Sequence, residues 1–168
     1  MLTSKRLRYR NIEEDDFKEL HKIFSDKDAM RFICKVKTEK ETLDWITDAK
    51  KSYETNKYGP WAVVLKNTED FIGYCGLYLQ KDIDGSDEIE LLYGFNKKYW
   101  NKGYATESTK AIYNEVKTEF KLSRVISLIE IGNDKSERVV QKLGMAFEKT
   151  VKKWERNYKL YSLQDSRV

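Results

Sequence analysis

The chain is poor in the residues that punctuate or staple small proteins. Among its 168 residues there is one proline (Pro60), one histidine (His21) and two cysteines (Cys34 and Cys75). Two isolated cysteines exclude a disulfide framework and a zinc site of the usual thiolate spacing. Cys75 lies inside an apolar strand pattern, where a thiol packs rather than reacts. The lone histidine, on a helix edge in "FKELHKIF", leaves Cys-His and Ser-His-Asp hydrolysis little to build on and reads as a solvated surface residue. No apolar run approaches the roughly 20 residues that span a bilayer, and the opening "MLTSKRLRYR" lacks the apolar segment of a signal peptide. A cytoplasmic location without a membrane partner is therefore expected. No linker, repeat or low-complexity tract divides the chain, which predicts one domain over 1–168 that buries a core without staples or metal. Net charge is only +4, with 32 lysines and arginines scattered among 28 acids instead of gathered in a block. That distribution argues against nucleic acid and for a small polyanion.

What is present alternates between two periods. A strand is predicted over residues 5 to 11, then a helix in "EEDDFKELHKIFSD", where Phe17, Leu20, Ile23 and Phe24 recur at helical spacing behind an acidic first turn. A second helix is predicted over "TEKETLDWITDAKKSYETN", with Thr38 and Glu41 forming a capping box and Leu43, Ile46 and Tyr53 facing inward. After Gly59-Pro60 the strands "WAVVLK", "FIGYCGLYLQ" and "EIELLYGF" follow, joined by the turns "KNTED" and "KDIDGSDE" as an antiparallel meander. A helix begins near Gly103 and carries Ala105, Ile112, Val116 and Phe120 on one face; "RVISLIEI" reads as a central strand covered on both sides. A short helix from Asp134 to Leu143 ends at a C′ glycine, Gly144, before the strands "AFEKTVKKW" and "YKLYSL". The order β-α-α-β-β-β-α-β-α-β-β predicts an α/β (α+β) fold, a mixed sheet with helices on both faces.

The most informative stretch is "YWNKGYATES", where a strand ends and a helix begins. Gly103 and Ala105 leave the amides of a first helical turn uncovered at the positive end of the helix dipole, with Lys98, Lys102 and Lys110 nearby. Such a junction suits a diphosphate.

This stretch also resembles motif A of the GNAT superfamily of acyl-CoA-dependent N-acetyltransferases, Q/R-x-x-G-x-G/A, here W-N-K-G-Y-A with Trp100 in the first position and Asn101 where a glycine is frequent. The form "W-x-K-G-Y-A-T-E" is that of the branch of ribosomal-protein N-terminal acetyltransferases RimJ and RimL. "TSKRLRYRNIEEDDFKELHKIFSD", "WAVVLKNTEDFIGYCGL" and "NDKSERVVQKLGMAFE" resemble other segments of that branch in the right order, so the likeness spans nearly the whole chain.

The resemblance implies acetyl-CoA as co-substrate and no metal. Phe95, Lys98, Trp100, Asn101, Lys102, Gly103, Tyr104, Ala105 and Thr106 would hold its pyrophosphate and pantetheine, together with Asn133 and Ser136. It implies a V-shaped split between the fourth and fifth strands, for which Gly94 could supply a bulge or mark a turn onset. Acetyl transfer to an amine needs a base, a polarised carbonyl and a donor to the leaving thiolate. Strand alternation puts Glu90 on the face opposite Ile89, Leu91 and Tyr93 and makes it the leading base, with Glu155 as rival. Ser136 is the candidate donor to the thiolate, and Asn133 is either a helix cap or a cofactor ligand. The expected partners are acetyl-CoA and an amine acceptor, with the protein a monomer or homodimer. The family's acceptor run after Glu155 is replaced by "RNYKLYSL", which leaves the acceptor open: a protein N-terminus or a small-molecule amine.

Overall fold

The computed structural model describes residues 2–120 and 122–164. Its elements run β1 (Leu7–Asn11), α1 (Phe17–Phe24) behind a 3₁₀ turn at Glu14–Asp16, α2 (Lys27–Met30), α3 (Glu39–Thr55), β2 (Pro60–Leu65), β3 (Phe71–Ile83), β4 (Ser86–Phe95), α4 (Tyr104–Glu119), β5 (Arg124–Glu130), α5 (Asp134–Leu143), β6 (Ala146–Lys153) and β7 (Arg156–Gln164). The sheet has the order β1-β2-β3-β4-β5-β7-β6, and β4–β5 is its one parallel neighbour pair. The expected mixed sheet is found, with the single-turn helix α2 added. On one face β1–β4 bury Leu7, Val63, Leu77, Leu91 and Phe95 against Ile112 and Val116 of α4. On the other, Ala62 and Tyr74 pack beneath Leu20, Ile23, Phe24 and Ile46 of α1 and α3. Burying such side chains contributes about 1.5–3 kcal/mol each.

The helix ends follow their sequence signals. Thr38 accepts from the Glu41 N–H at 3.2 Å while Glu41 accepts from the Thr38 N–H at 2.8 Å, closing the expected capping box. Gly144 ends α5 with φ 94°, the left-handed conformation that glycine adopts without penalty. The inward face of α3 differs from expectation. Leu43 is 48% exposed, whereas Thr42, Ala49 and Ser52 are buried beside the expected Ile46. Polar residues can occupy that face because each finds a partner: Thr42 Oγ1 donates to the Thr38 carbonyl and Ser52 Oγ to the Tyr58 carbonyl. His21 is likewise no solvated residue. Its Nδ1 lies 3.0 Å from Thr42 Oγ1 and its ring stacks on Phe17, which ties α1 to α3.

The β3–β4 hairpin is longer than the eight-residue turn expected from "KDIDGSDE". Ladder pairing continues to Gln80↔Glu88 and, past a register shift, Ile83↔Ser86 closes a two-residue turn. Asp84 (φ 52°) and Gly85 (φ 85°) form it, the Asp-Gly sequence that a type I′ turn favours. Gly94 serves neither as bulge nor as turn onset. It pairs in register with Tyr74, and a Cβ on it would meet the Tyr74 ring at 2.6 Å, so a close ring contact excludes any side chain.

Candidate active site

The split between β4 and β5 is the site's foundation. The two strands share one register pair, Glu90↔Ile126, and diverge beyond it. Two side chains extend the junction: Ser127 Oγ donates to the Leu91 carbonyl at 2.8 Å, and the Leu128 N–H donates to Glu90 Oε1 at 3.1 Å. Both satisfy buried backbone groups that the failing ladder would leave unpaired. The opened gap continues into a cleft of about 750 Å³. Its walls are Tyr93, Gly94 and Phe95 from β4, the segment Tyr99 to Thr106 apart from Lys102, and Gly132 to Val139 of the β5–α5 corner apart from Glu137, with Lys142 beyond; Asp28 to Ile33 apart from Met30 close the far side.

Phe95, Trp100, Asn101, Gly103, Tyr104, Ala105, Thr106, Asn133 and Ser136 all line this cleft, whereas Lys98 and Lys102 are not among its lining residues. Both lysines instead sit over the Tyr99 ring, at 5.2 and 5.5 Å. Trp100 has a structural task, since its indole N–H donates to the Phe95 carbonyl at 2.7 Å and closes the end of β4. Gly103 caps α4 at φ 80° and brings no side-chain acceptor, so nothing from the cap residue competes for the first-turn N–H groups. Asn101 is also left-handed, at φ 59°. Arg6 fastens this loop to β1: its side chain donates to Glu107 Oε2 at 2.7 Å and to the Lys102 carbonyl at 3.0 Å.

A Cβ at Gly103 would meet only Arg6 Nη2, at 3.5 Å. Within the protein, the glycine is therefore required for its backbone angle and not to make room for a neighbouring side chain. Gly103→Asn, which tolerates this conformation, is expected to keep melting temperature and ligand response close to wild type, while Gly103→Val, β-branched and strained there, loses about 1–3 kcal/mol. Thermal denaturation of the two variants checks this; equal losses would show that the angle is not what matters.

Asn133 is the N-cap of α5, its Oδ1 accepting from the Ser136 N–H at 3.3 Å, which leaves its Nδ2 hydrogens for other partners. The Tyr93 hydroxyl reaches the Ser136 carbonyl at 3.5 Å, bringing a phenol to the same corner of the cleft; burial pushes its pKa up and keeps it protonated. Tyr93 was not a sequence candidate. Nor were Arg31 and Phe32, which approach from the α2–α3 segment, or Lys135, Arg138 and Lys142, which line the cleft from one face of α5 at i, i+3 and i+7. Lys135 Nζ also lies 5.3 Å from the Trp100 ring centre.

Glu90 is buried at 8% exposure, at the apex of the split and on the sheet face opposite Tyr93. Burial pushes its pKa from the ordinary 4.5 up to about 7, against the opposing hydrogen bonds from Gln80 and Leu128. A carboxyl poised near neutrality can both take and release a proton. Glu155 is elsewhere. It is exposed in the two-residue turn between β6 and β7, at φ 62° beside Trp154 at φ 49°, and is not a lining residue of the cleft. Ser136 thus lines the cleft, Glu90 sits at the β4–β5 junction without being one of its lining residues, and Glu155 is brought to neither.

A sequence profile of the acetyltransferase (GNAT) domain matches residues 6–146. The chain belongs to this family. YkkB of Bacillus subtilis is 30% identical over 161 residues, 95% of this chain and 93% of that protein. Among solved structures, an acetyltransferase (GNAT family) from Bacillus anthracis superposes with a TM-score of 0.83 at 28% identity, covering 97% of both chains. RimL, the ribosomal L7/L12 α-N-protein acetyltransferase, solved in complex with coenzyme A, shares the fold with a TM-score of 0.79 at 13% identity over 96% of this chain and 95% of that one. The protein is an N-acetyltransferase by family, and its sheet, split and helices match GNAT structures. Among the described residues no helix is long and apolar enough to cross a membrane, and no cluster of three or more acidic, histidine or cysteine side chains could hold a metal ion.

Proposed function

We propose that the protein moves the acetyl group of acetyl-CoA to a primary amine, a protein N-terminus or a small-molecule amine, by direct attack in a ternary complex in the cytoplasm. The observation that carries this reading is the buried carboxyl of Glu90 at the apex of a split whose cleft is lined by the first turns of two helices, α4 and α5. The α4 turn suits the pyrophosphate, because its amides and dipole face an anion without a capping side chain. Lys135, Arg138 and Lys142 supply charge for the remaining phosphate of the nucleotide. Asn133 Nδ2 and the edge of β4 from Tyr93 to Phe95 offer donors and acceptors to the pantetheine amides.

The amine attacks the thioester carbonyl and loses its proton to Glu90, through water where the two are not in contact. The tetrahedral adduct collapses as the C–S bond breaks, and the departing thiolate takes a hydrogen bond from Ser136. An acyl-enzyme is not part of the scheme: Cys75 is buried with its thiol pKa pushed up by burial, and Cys34 donates to the Lys35 carbonyl from the α2–α3 segment. Acetyl-CoA at a hundredfold excess over its dissociation constant is expected to add about 2.7 kcal/mol of stability and raise the melting temperature by several degrees. An amine panel should then release free CoA in an acceptor-dependent manner. Absence of both a thermal shift and calorimetric heat at millimolar acetyl-CoA would refute the reading.

A further inference from the structure

Glu90 is a buried acid whose polar partners are neutral. Its Oε1 accepts from the Leu128 N–H and its Oε2 from Gln80 Nε2 at 2.6 Å. The titratable groups that face it are phenols: Tyr74 of β3 and Tyr158 of β7 both feel its charge, and Tyr78 of β3 stands opposite it in the ladder. Among the described residues no lysine or arginine contributes to its ionisation. The Leu128 donor is a main-chain group fixed by β5, so Gln80 is the side chain whose chemistry can vary.

Gln80 is held for this task. It pairs with Glu88, next but one to Glu90, on the hairpin arm just before the register shift. Beyond that shift the arm is pinned from β6, where Lys153 Nζ donates to the Lys81 and Asp82 carbonyls and Lys149 Nζ to Asp84 Oδ2 at 2.6 Å. Ile83 at the same tip is buried on Ile126, Leu128 and Tyr158. Two strands and a hydrophobic anchor thus fix the arm from which the amide reaches the carboxylate.

We infer that Gln80 is a positioning residue for the reaction: its amide holds the Glu90 carboxylate in one orientation at the apex of the split. This rests on the reading of Glu90 as the base. A donor to the charged form lowers the pKa of an acid, so deleting the donor raises it and a cation in its place lowers it.

The experiment is a pH series of kcat/KM with a saturating acetyl-CoA concentration, read beside a ¹³C NMR titration of the Glu90 carboxyl identified by its loss in Glu90→Gln. Gln80→Leu is expected to move the acidic limb and the carboxyl titration up by about one pH unit, with the alkaline plateau retained. Gln80→Lys is expected to move both the other way. A residue serving only the fold would lower rates at every pH without moving either midpoint. If Glu90→Gln removes the acidic limb but neither Gln80 variant shifts it, the positioning role is refuted and the base stands. If Glu90→Gln leaves the limb in place, the base reading fails and the inference falls with it. Unmoved carboxyl titrations in both Gln80 variants overturn it irrespective of the acceptor used.

Discussion

Glu90→Gln is expected to lose activity and gain stability, and to do each in its own pH range. For activity, an amine acceptor arrives protonated at neutral pH, so loss of the base lowers kcat/KM by about 10²-fold or more, with partial recovery as pH approaches the acceptor's own pKa. For stability, the pKa of Glu90 is raised in the folded state, from 4.5 to about 7. Its favourable contribution is therefore complete below pH 4.5 and disappears as pH rises through 7, where the chain must hold an ionised carboxylate at 8% exposure. The full difference is on the order of 3 kcal/mol. Glutamine presents one acceptor where the carboxylate presents two, so either Gln80 or the Leu128 N–H loses a partner, which returns about 1–3 kcal/mol. The net expectation is about 1 kcal/mol of added stability above pH 7, a rise of about 2–4 °C in melting temperature for a chain of this size, turning to a loss of about 1–2 kcal/mol by pH 5, because the missing hydrogen bond persists while the wild type's ionisation penalty falls away. Calorimetric melts from pH 5 to 9 beside a pH–rate series measure both. A melting difference independent of pH would reject the buried charge as its source. A wild-type rate profile would move the base away from Glu90, and Glu155→Gln in the same series tests the alternative.

The contrast between what the sequence disclosed and what it hid is physical. Capping signals are local, and the Thr38–Glu41 box and the Gly144 terminus stand where the residues put them. The loop from Trp100 to Thr106 was legible for the same reason, because its chemistry lies in consecutive backbone amides. Three-dimensional neighbours were harder. Lys98 and Lys102 belong to the right loop, yet they turn onto Tyr99, and the charge along the cleft comes from α5 instead. The spacing of Lys135, Arg138 and Lys142 was readable as one helix face; which way that face points depended on α5 burying Val140 among Ile129, Met145 and Tyr161. Strand alternation separated Glu90 from Tyr93 correctly but was silent on Gln80, whose contact with Glu90 depends on the register between β3 and β4. Gly94 carried a glycine signal with the wrong cause, since a ring one strand away, not a local bulge, excludes its side chain.

Charge reversal on α5 should separate the phosphate-binding role of that face from the catalysis at the split. Arg138 and Lys142 are exposed, stand about one turn apart and line the cleft together with Lys135. Replacing both by glutamate exchanges attraction for repulsion toward the phosphates of acetyl-CoA without removing a buried side chain, so the fold should be unaffected. At low ionic strength the double variant is expected to bind acetyl-CoA about 10- to 100-fold more weakly, and added salt should narrow the gap as the Debye length falls to about 8 Å at 0.15 M. The nucleotide's 3′-phosphate lies far along the molecule from the thiol, so wild-type protein should prefer CoA to 3′-dephospho-CoA and the double variant should not. kcat at saturating acetyl-CoA should remain near wild type, because the double change leaves Glu90 and Ser136, the groups proposed for the chemistry, in place. Isothermal titration of both ligands at two salt concentrations provides the measurement. Wild-type affinity with an unchanged salt dependence would mean that the α5 cations face solvent while the ligand's charge is met by the α4 turn alone, and a fall in kcat with affinity preserved would place these residues closer to the chemistry than their helix face allows.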